Sequence, residues 1–184
     1  MALVFAFLLS FLSLSGELLC GSLGAAPPFL AITVFYLAKQ NSAAMGIFTA
    51  VFWGLVKDLT LGRDFLFTPF ELLLLLGILL AIYRKPCTRL PDVLPAGAIT
   101  GACITLANAL CSGIYGEFRP GSELLAALFF NTAVCTLWMP VQLMLWDYPA
   151  RRMKLATFFR PEKNQGGNRH RRVSSRSIHP GDQP

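Results

Sequence analysis

The stretch that decides the fold is PPFLAITVFYLAKQNSAAMGIFTAVFWGLVKDLTLGRDFLFTPFELLLLLGILLAIY, residues 27–83. It contains three apolar segments, and the first two meet at the basic and polar joint Lys39-Gln40-Asn41. A helix that spans a membrane needs roughly 20 apolar residues, with about 17 as the lower limit. The stretch therefore predicts helices that cross a membrane side by side.

The second segment carries a ladder of small residues, Gly46, Ala50 and Gly54, which ends in the acid Asp58. Small residues at this spacing let two helix backbones approach closely in lipid. An acid on the same face is costly inside a membrane unless it has a partner. We therefore predict a tightly packed helix face with a polar tip.

The whole chain extends this pattern, because 54% of its 184 residues are hydrophobic and only 14% are charged. Soluble domains carry about 25% charged residues. We predict an all-α integral membrane protein, a bundle of about six transmembrane helices with short loops. The predicted membrane domain covers residues 1–150, with spans at about 2–22, 25–39, 42–61, 67–83, 93–115 and 122–147. Residues 151–184 are predicted to be a basic, largely disordered tail.

The first two spans each have an unusual feature. The first is predicted to stay in the protein, because no Lys or Arg precedes its apolar run as in a signal peptide. The second opens at Pro27-Pro28 and is short. It therefore has to start before the prolines, tilt, or lie where the bilayer is thin.

The formal charge of +6 comes mainly from the C-terminal end. A basic run of this kind is typical either of nucleic-acid binding or of a tail held on the cytoplasmic side of a membrane. The apolar spans before it favour the second interpretation, so we expect contact with membrane lipid and not with nucleic acid. With both termini in the cytoplasm, the outer loops hold only Arg63 and Arg119. The inner segments then hold Lys39, Arg84, Lys85, Arg89 and the nine basic residues after Ala150.

Four charged residues are predicted near the outer ends of their helices: Glu17, Lys57, Asp58 and Glu71. A charge in lipid costs about 2.5–3.5 kcal/mol on insertion scales. One hypothesis is a functional seam, such as a proton relay, an ion site or a substrate pocket. The other is structural, with the carboxylates paired to Lys57, Arg63 or free helix N–H groups, and the shallow depth favours it. Lys57 and Asp58 point about 100° apart on a helix, so Lys57 is expected to snorkel outward.

The last two spans carry further packing signals. The fifth contains Gly97-x-x-x-Gly101, which is a close-packing pattern in an apolar helix. The sixth contains Pro140, which predicts a kink, and Trp138, Trp146 and Tyr148 as candidate anchors at the membrane interface. Polar residues accompany these signals: Thr105, Asn108, Ser112, Asn131, Thr132 and Gln142.

An enzyme is the weakest class of function for this sequence. The only histidines, His170 and His179, lie in the tail, so no imidazole base is available in the predicted spans. No phosphate-binding loop or metal-spaced cluster is present, and the five cysteines form no CxxC pair. We expect no cofactor, no metal and no structural disulfide.

Several residues occur in an order that resembles the rod shape-determining protein MreD family, over about residues 20–148. They are Pro27, Tyr36, the Gly54-x-x-x-Asp58 step, Gly62, Arg119-Pro120, Asn131 and Trp138-x-Pro140. The chain departs from the family pattern after Gly62 and in its long basic tail. The resemblance implies five or six spans and a non-enzymatic role in the bacterial inner membrane. It also implies partners: an MreC-like membrane protein, an MreB-like filament, a RodA-type synthase and a penicillin-binding transpeptidase.

Two functions follow as expectations. The first is a scaffold of the cell-elongation complex, whose glycine-lined faces dock helices of other proteins. The alternative is the substrate-binding membrane subunit of an energy-coupling-factor transporter, which also has six helices. In that case Glu17, Trp53, Asp58 and Glu71 are the residues expected to line the cavity.

Overall fold

The computed structural model describes residues 2–21, 27–62, 67–83, 90–114 and 121–159, and these ranges contain six α-helices and no strand. The helices are α1 (Ala2–Gly21), α2 (Phe29–Gln40), α3 (Ala43–Thr60), α4 (Phe67–Ile82), α5 (Leu94–Ile114) and α6 (Gly121–Arg152). A short 3-10 segment, Leu90–Val93, precedes α5. The tail predicted to be disordered from residue 160 lies outside the described residues.

Four helical stretches are long and apolar enough to cross a membrane: Ala2–Cys20, Ala43–Thr60, Pro91–Gly113 and Gly121–Arg152. The prediction of an all-helical chain is confirmed for the described residues, and so is the presence of helices long and apolar enough to span a membrane. Helices α2 and α4 are apolar but shorter. The count of six spans and the location of the termini stay predictions.

Helix α2 lies at the centre of the bundle. Every residue from Leu30 to Ala38 is buried, and the helix contacts α1, α3, α4 and α6. Its 12 residues extend about 18 Å, less than the roughly 30 Å of a bilayer's hydrocarbon core. Because other helices enclose it, its length does not have to match the lipid.

The start of α2 differs from the predicted span, 25–39. The helix begins at Phe29, after Pro28 in a non-helical conformation, and the Pro28 carbonyl accepts the first helical hydrogen bond from Ile32 N–H. A proline also keeps the residue before it out of the helical region. The pair Pro27-Pro28 therefore marks the start of the helix instead of lying inside its first turn.

The small-residue ladder of α3 packs against α2 and α4. A Cβ added at Gly46 would lie 2.5 Å from the Ala38 Cβ of α2, and one added at Gly54 would lie 2.8 Å from the Pro69 backbone of α4. Ala50, between them, is fully buried. The helix ends at Thr60, and Gly62, just beyond the cap residue Leu61, has a φ of 63°, the left-handed conformation that closes many helices.

Helices α5 and α6 form an antiparallel pair joined at glycines. A Cβ at Gly97 would lie 2.6 Å from the Cys135 carbonyl oxygen, and one at Gly101 would lie 2.7 Å from the Asn131 carbonyl oxygen. Side chains add one link, since the Asn131 amide donates to Thr105 Oγ1 at 3.1 Å. Helix α6 continues unbroken through the buried Pro140 and ends at Arg152, beyond the predicted end at residue 147.

These contacts correct one expectation. The glycine faces were expected to dock helices of other proteins, but helices of the same chain cover Gly46, Gly54, Gly97 and Gly101. Lipid gives helices no hydrophobic reason to associate, so a bundle needs close backbone packing to hold itself together. A surface that meets a partner has to lie elsewhere.

Large apolar side chains cover the outside of the bundle, and each of the five helices other than α2 contributes some of them. Examples from each helix are Leu3, Phe48, Phe70, Leu110 and Phe129, all about half exposed or more. A soluble monomer rarely exposes a continuous apolar surface of this extent. The distribution fits a bundle surrounded by lipid.

Polar contacts define two opposite ends of the bundle. At one end Glu17 of α1 contacts Leu30 of α2 and Lys57 of α3. At the other, Tyr36 of α2 contacts Asp147 of α6, and Lys39 donates to the Tyr83 carbonyl just after α4. We call these the Glu17 end and the Asp147 end. Successive helices therefore run in alternate directions.

Candidate functional site

Glu17 joins three helices at the Glu17 end. One carboxylate oxygen forms an ion pair with the Lys57 ammonium, and the other accepts the Leu30 N–H at 3.1 Å. That N–H belongs to the first turn of α2, where backbone donors have no partner within the helix. Lys57 was predicted to snorkel outward. It turns to Glu17 instead, because a paired charge costs less than a lone one at the edge of the apolar layer.

Asp58 is fully buried and fixes the start of α4. Its Oδ2 accepts the Thr68 N–H at 2.8 Å, and its Oδ1 accepts the Thr68 hydroxyl. Thr68 is the second residue of α4, so the carboxylate supplies an acceptor where the helix has unpaired N–H groups. A negative charge is also favourable at the positive end of a helix dipole.

A polar cavity of about 200 Å³ lies beside these contacts. Five helices and the residue before α2 surround it, and its lining residues are Glu17, Pro28, Leu30, Ala31, Lys57, Thr68, Glu71, Leu72, Ile104 and Asn108. The structure thus brings together Glu17, Lys57 and Glu71, three of the four charged residues singled out in the sequence. The fourth, Asp58, contacts the lining residue Thr68. Asn108 was noted only as a polar residue of the fifth span.

Trp53, expected in the same cavity if the chain is a transporter subunit, lies elsewhere. It borders an apolar groove of about 420 Å³ between α1 and α3. Its ring centroid is 5.1 Å from that of Phe7 and 5.3 Å from that of Phe52. The acids and this tryptophan therefore do not share a site.

A buried polar network connects α1, α2 and α6 inside the bundle. The Ser13 and Thr33 hydroxyls lie 2.6 Å apart, and Gln142 Nε2 donates to Thr33 at 3.1 Å and to an α2 carbonyl at 2.9 Å. Two indoles complete it, since Trp146 donates to Thr33 and Trp138 donates to Gln142. The sequence suggested that these tryptophans anchor the membrane interface. Both donate to acceptors inside the bundle, because an indole N–H needs a partner there, and their place at the membrane interface stays a prediction.

Asp147 organises the opposite end. Although only 2% exposed, it accepts the Tyr36 hydroxyl at 3.1 Å and the N–H groups of Phe158 and Phe159 at 2.7 and 3.0 Å. Arg151, largely exposed, lies 3.9 Å from the carboxylate. The acid therefore holds the chain that follows α6 against α2.

That chain, residues 155–159, forms what we call the C-terminal strap. Phe158 is buried and stacks on Tyr36, with ring centroids 6.1 Å apart, and the Gln40 amide donates to the Ala156 carbonyl. The domain boundary was predicted at residue 150, but packed structure continues to Phe159. The sequence gives little signal for the strap, because Asp147 and Tyr36 are 111 positions apart.

The Glu17 end is the candidate functional site, since it combines a cavity with charged side chains of both signs. The described ranges contain no group of three metal-binding side chains. The residues present can bind and orient a small polar molecule. Comparisons with protein-family models, curated protein sequences and solved structures find no match for this chain.

Proposed function

We propose that the chain is a non-enzymatic scaffold of the bacterial cell-elongation complex in the inner membrane. In this role it helps couple an MreB-like filament and an MreC-like membrane protein to peptidoglycan synthesis by a RodA-type synthase and a penicillin-binding transpeptidase. The proposal rests on the order and spacing of the MreD-like residues, from Pro27 to Pro140. Two of them, Tyr36 and Asp58, make buried hydrogen bonds that join separate elements.

The observation that carries the proposal is that three largely buried carboxylates hold separate parts of the bundle together. Glu17 ties α1 to α2 and α3, Asp58 fixes α4, and Asp147 holds the C-terminal strap. Each acid accepts hydrogen bonds that join separate elements, which supports a structural role. Polar contacts stabilise the bundle at both ends, and apolar side chains cover its outside. Both features suit a protein that holds membrane partners in place.

In the proposed orientation the Asp147 end faces the cytoplasm. Its described basic residues are Lys39, Arg151, Arg152 and Lys154, against Lys57 at the Glu17 end. Excess Lys and Arg on the inner side is the rule for membrane proteins. Reporter fusions after Phe159 and at residue 63 test this, and an extracytoplasmic signal from the first would overturn it.

The experiment for the function is affinity purification of the tagged full chain from native membranes, with depletion of the chain in parallel. We expect an MreC-like protein to co-purify and rod-shaped cells to become round on depletion. A tagged membrane protein of similar size from the same cells is the control for nonspecific capture. Co-purification of an ATPase module with a bound vitamin-like ligand, without a change of shape, would overturn the scaffold in favour of the transporter subunit.

One observation favours that second candidate, the polar cavity at the Glu17 end. Its size argues against it. At about 200 Å³ the cavity lies below the roughly 300–1,000 Å³ of pockets that enclose drug-sized ligands. The aromatic residue expected in a vitamin pocket, Trp53, also lines a different groove.

A further inference from the structure

The apolar groove between α1 and α3 lies on the surface that faces lipid. Large exposed side chains form its two rims: Leu3, Val4 and Phe7 on α1, and Phe48 and Phe52 on α3. Smaller buried side chains form its floor: Ala6, Ser10 and Thr49. The groove is therefore deepest where the side chains of the two helices are smallest.

The chemistry of the groove suits hydrocarbon. The two hydroxyls on its floor are already used, since Ser10 donates to the Ala6 carbonyl at 2.8 Å and Thr49 donates to the Met45 carbonyl at 2.7 Å. A hydroxyl has one hydrogen to donate, so neither of them can donate to a ligand as well. The other side chains that line the groove are apolar or aromatic. A polar molecule would find little to bind there.

The length of the groove distinguishes a lipid chain from a partner helix. On α3 the lining residues extend from Met45 to Trp53, a rise of about 12 Å. This is close to one leaflet, which is half of the roughly 30 Å hydrocarbon core. At the inner end the Trp53 ring joins α1 to α3, with centroids 5.1 Å from Phe7 and 6.2 Å from Phe11. A partner helix would cross both leaflets, whereas an acyl chain stays in one.

The outer end of the groove lies at the Asp147 end of the bundle, because both α1 and α3 begin there. Helix α3 begins at Ala43, and the backbone N–H groups of Ala43 and Ala44 have no hydrogen-bond partner among the described residues. Both residues are exposed. The start of a helix carries partial positive charge and is a favourable place for a phosphate. The groove and its outer end thus complement the two parts of a phospholipid.

We propose that this groove binds one acyl chain of a phospholipid from the leaflet at the Asp147 end, with the lipid phosphate at the start of α3. Membrane helices pack closely where small residues let backbones approach. Here the small floor residues lie below large rims, so a hydrocarbon chain reaches them and a helix backbone does not. The inference goes beyond the scaffold function and does not depend on it.

The test is photolabelling of the full chain in phosphatidylglycerol vesicles. The probe is a trace of phosphatidylglycerol with a diazirine midway along one acyl chain, and mass spectrometry of the digested chain locates the label. We expect more label on Phe48 and Phe52 than on Val141 and Met144, which are exposed on α6 in the same half of the bundle. A diacylglycerol probe with the same chains should label the groove about two- to fivefold less, the effect of an anion at a helix start.

Variants locate the site. Ala6→Leu puts a larger side chain on the floor and should reduce labelling of the groove to the level on α6. Its matched control is Ala133→Leu, at an exposed position on α6, which should leave the groove labelled as before. If Ala6→Leu does not fold, Phe48→Ala decides, because it removes one rim and the contacts that the chain makes with it. Phe129→Ala, equally exposed on α6, is the control for that variant.

Three results would overturn the proposal. Even labelling of the groove and of α6 would show that no lipid chain is held there, and so would unchanged labelling in the folded variants. Equal labelling by the diacylglycerol probe would remove the phosphate from the start of α3. Protection of the groove from both probes, together with a cross-linked dimer, would identify a second copy of the chain as the occupant. Each of these results leaves the scaffold proposal untouched, since co-purification of an MreC-like protein is measured separately.

Discussion

The bundle holds its helices together in two different ways. Around α2, polar side chains reach across helix boundaries, as in the contacts of Glu17 with Leu30 and of Asp147 with Tyr36. Between α5 and α6, backbone lies directly against backbone at Gly97 and Gly101. Both kinds of contact hold helices together in lipid, where the hydrophobic effect that joins helices in water is missing.

The two kinds of contact differ because one lies at the end of a helix and the other lies along the length of two helices. The first turn of the short helix α2 lies inside the protein, so its N–H groups need acceptors from neighbours, as Leu30 finds in Glu17. Helices α5 and α6 are long, and their contact lies along their length, where the backbone groups are already paired within each helix. Polar side chains therefore matter most at the ends of the bundle, and small residues matter most along the α5–α6 contact.

The largest expected effect is at Asp147. Replacing it with Ala leaves the Tyr36 hydroxyl and the N–H groups of Phe158 and Phe159 without their acceptor. An unsatisfied buried group costs about 1–3 kcal/mol, so we expect a loss of about 3 kcal/mol in the free energy of unfolding. Thermal unfolding in detergent measures it, and trypsin should cleave faster after Lys154 as the C-terminal strap detaches.

Arg151→Ala is the control for this prediction. The Arg151 side chain is 63% exposed, and its guanidinium lies 3.9 Å from the Asp147 carboxylate. Exposed pairs of this kind contribute about 0–1 kcal/mol. If Arg151→Ala destabilises the chain as much as Asp147→Ala, the ion pair holds the strap and the backbone N–H groups do not.

The next effect concerns the glycine contact. In Gly101→Ala the new Cβ would lie 2.7 Å from the Asn131 carbonyl oxygen, so α5 and α6 have to separate. Overpacking of this kind costs about 1–3 kcal/mol. The matched variant is Gly113→Ala, where no neighbour lies within 4 Å and helix propensity favours Ala by up to about 1 kcal/mol. Equal melting temperatures for the two variants would show that the glycine contact does not hold the pair together.

A smaller effect is expected at Asp58. Asn at this position keeps an acceptor for the Thr68 N–H, and its amide can donate to the Thr68 oxygen. We expect Asp58→Asn to cost about 1 kcal/mol, the difference between a charge-assisted and a neutral hydrogen bond. Unfolding in detergent and co-purification of the MreC-like partner are measured on the same preparation. Normal stability with loss of the partner would give Asp58 a function in binding instead of in the fold.

The sequence predicts the helices, the positions of the four closely packed glycines and the charged residues near the helix ends, because each of these is a local pattern. Spacing alone indicates that Gly97 and Gly101 allow close approach. Spacing does not say which helix approaches, and the glycine faces meet helices of the same chain instead of a partner.

Contacts between distant residues could not be predicted in this way. The sequence presents Asp147 as one acid near the end of a span, and nothing local connects it to Tyr36 or to the backbone of Phe158. Thr33 likewise reads as one polar residue in an apolar run, although three side chains from α1 and α6 bond to it. Such a partner is set by the assembled bundle, where an unpaired hydroxyl or amide would be costly.

The smallest effect, and the sharpest test of the comparison, is expected at Asn131. Its amide donates to Thr105 at 3.1 Å, which is the one described side-chain hydrogen bond between α5 and α6. Hydrogen bonds between membrane helices contribute about 0.6 kcal/mol on average, so Asn131→Ala should lower the free energy of unfolding by about that amount. Asn108→Ala, at an exposed position on α5, controls for the loss of an amide and should change stability little. If Asn131→Ala costs as much as Gly101→Ala, polar side chains hold α5 to α6 as they hold α2, and the two regions are not built differently.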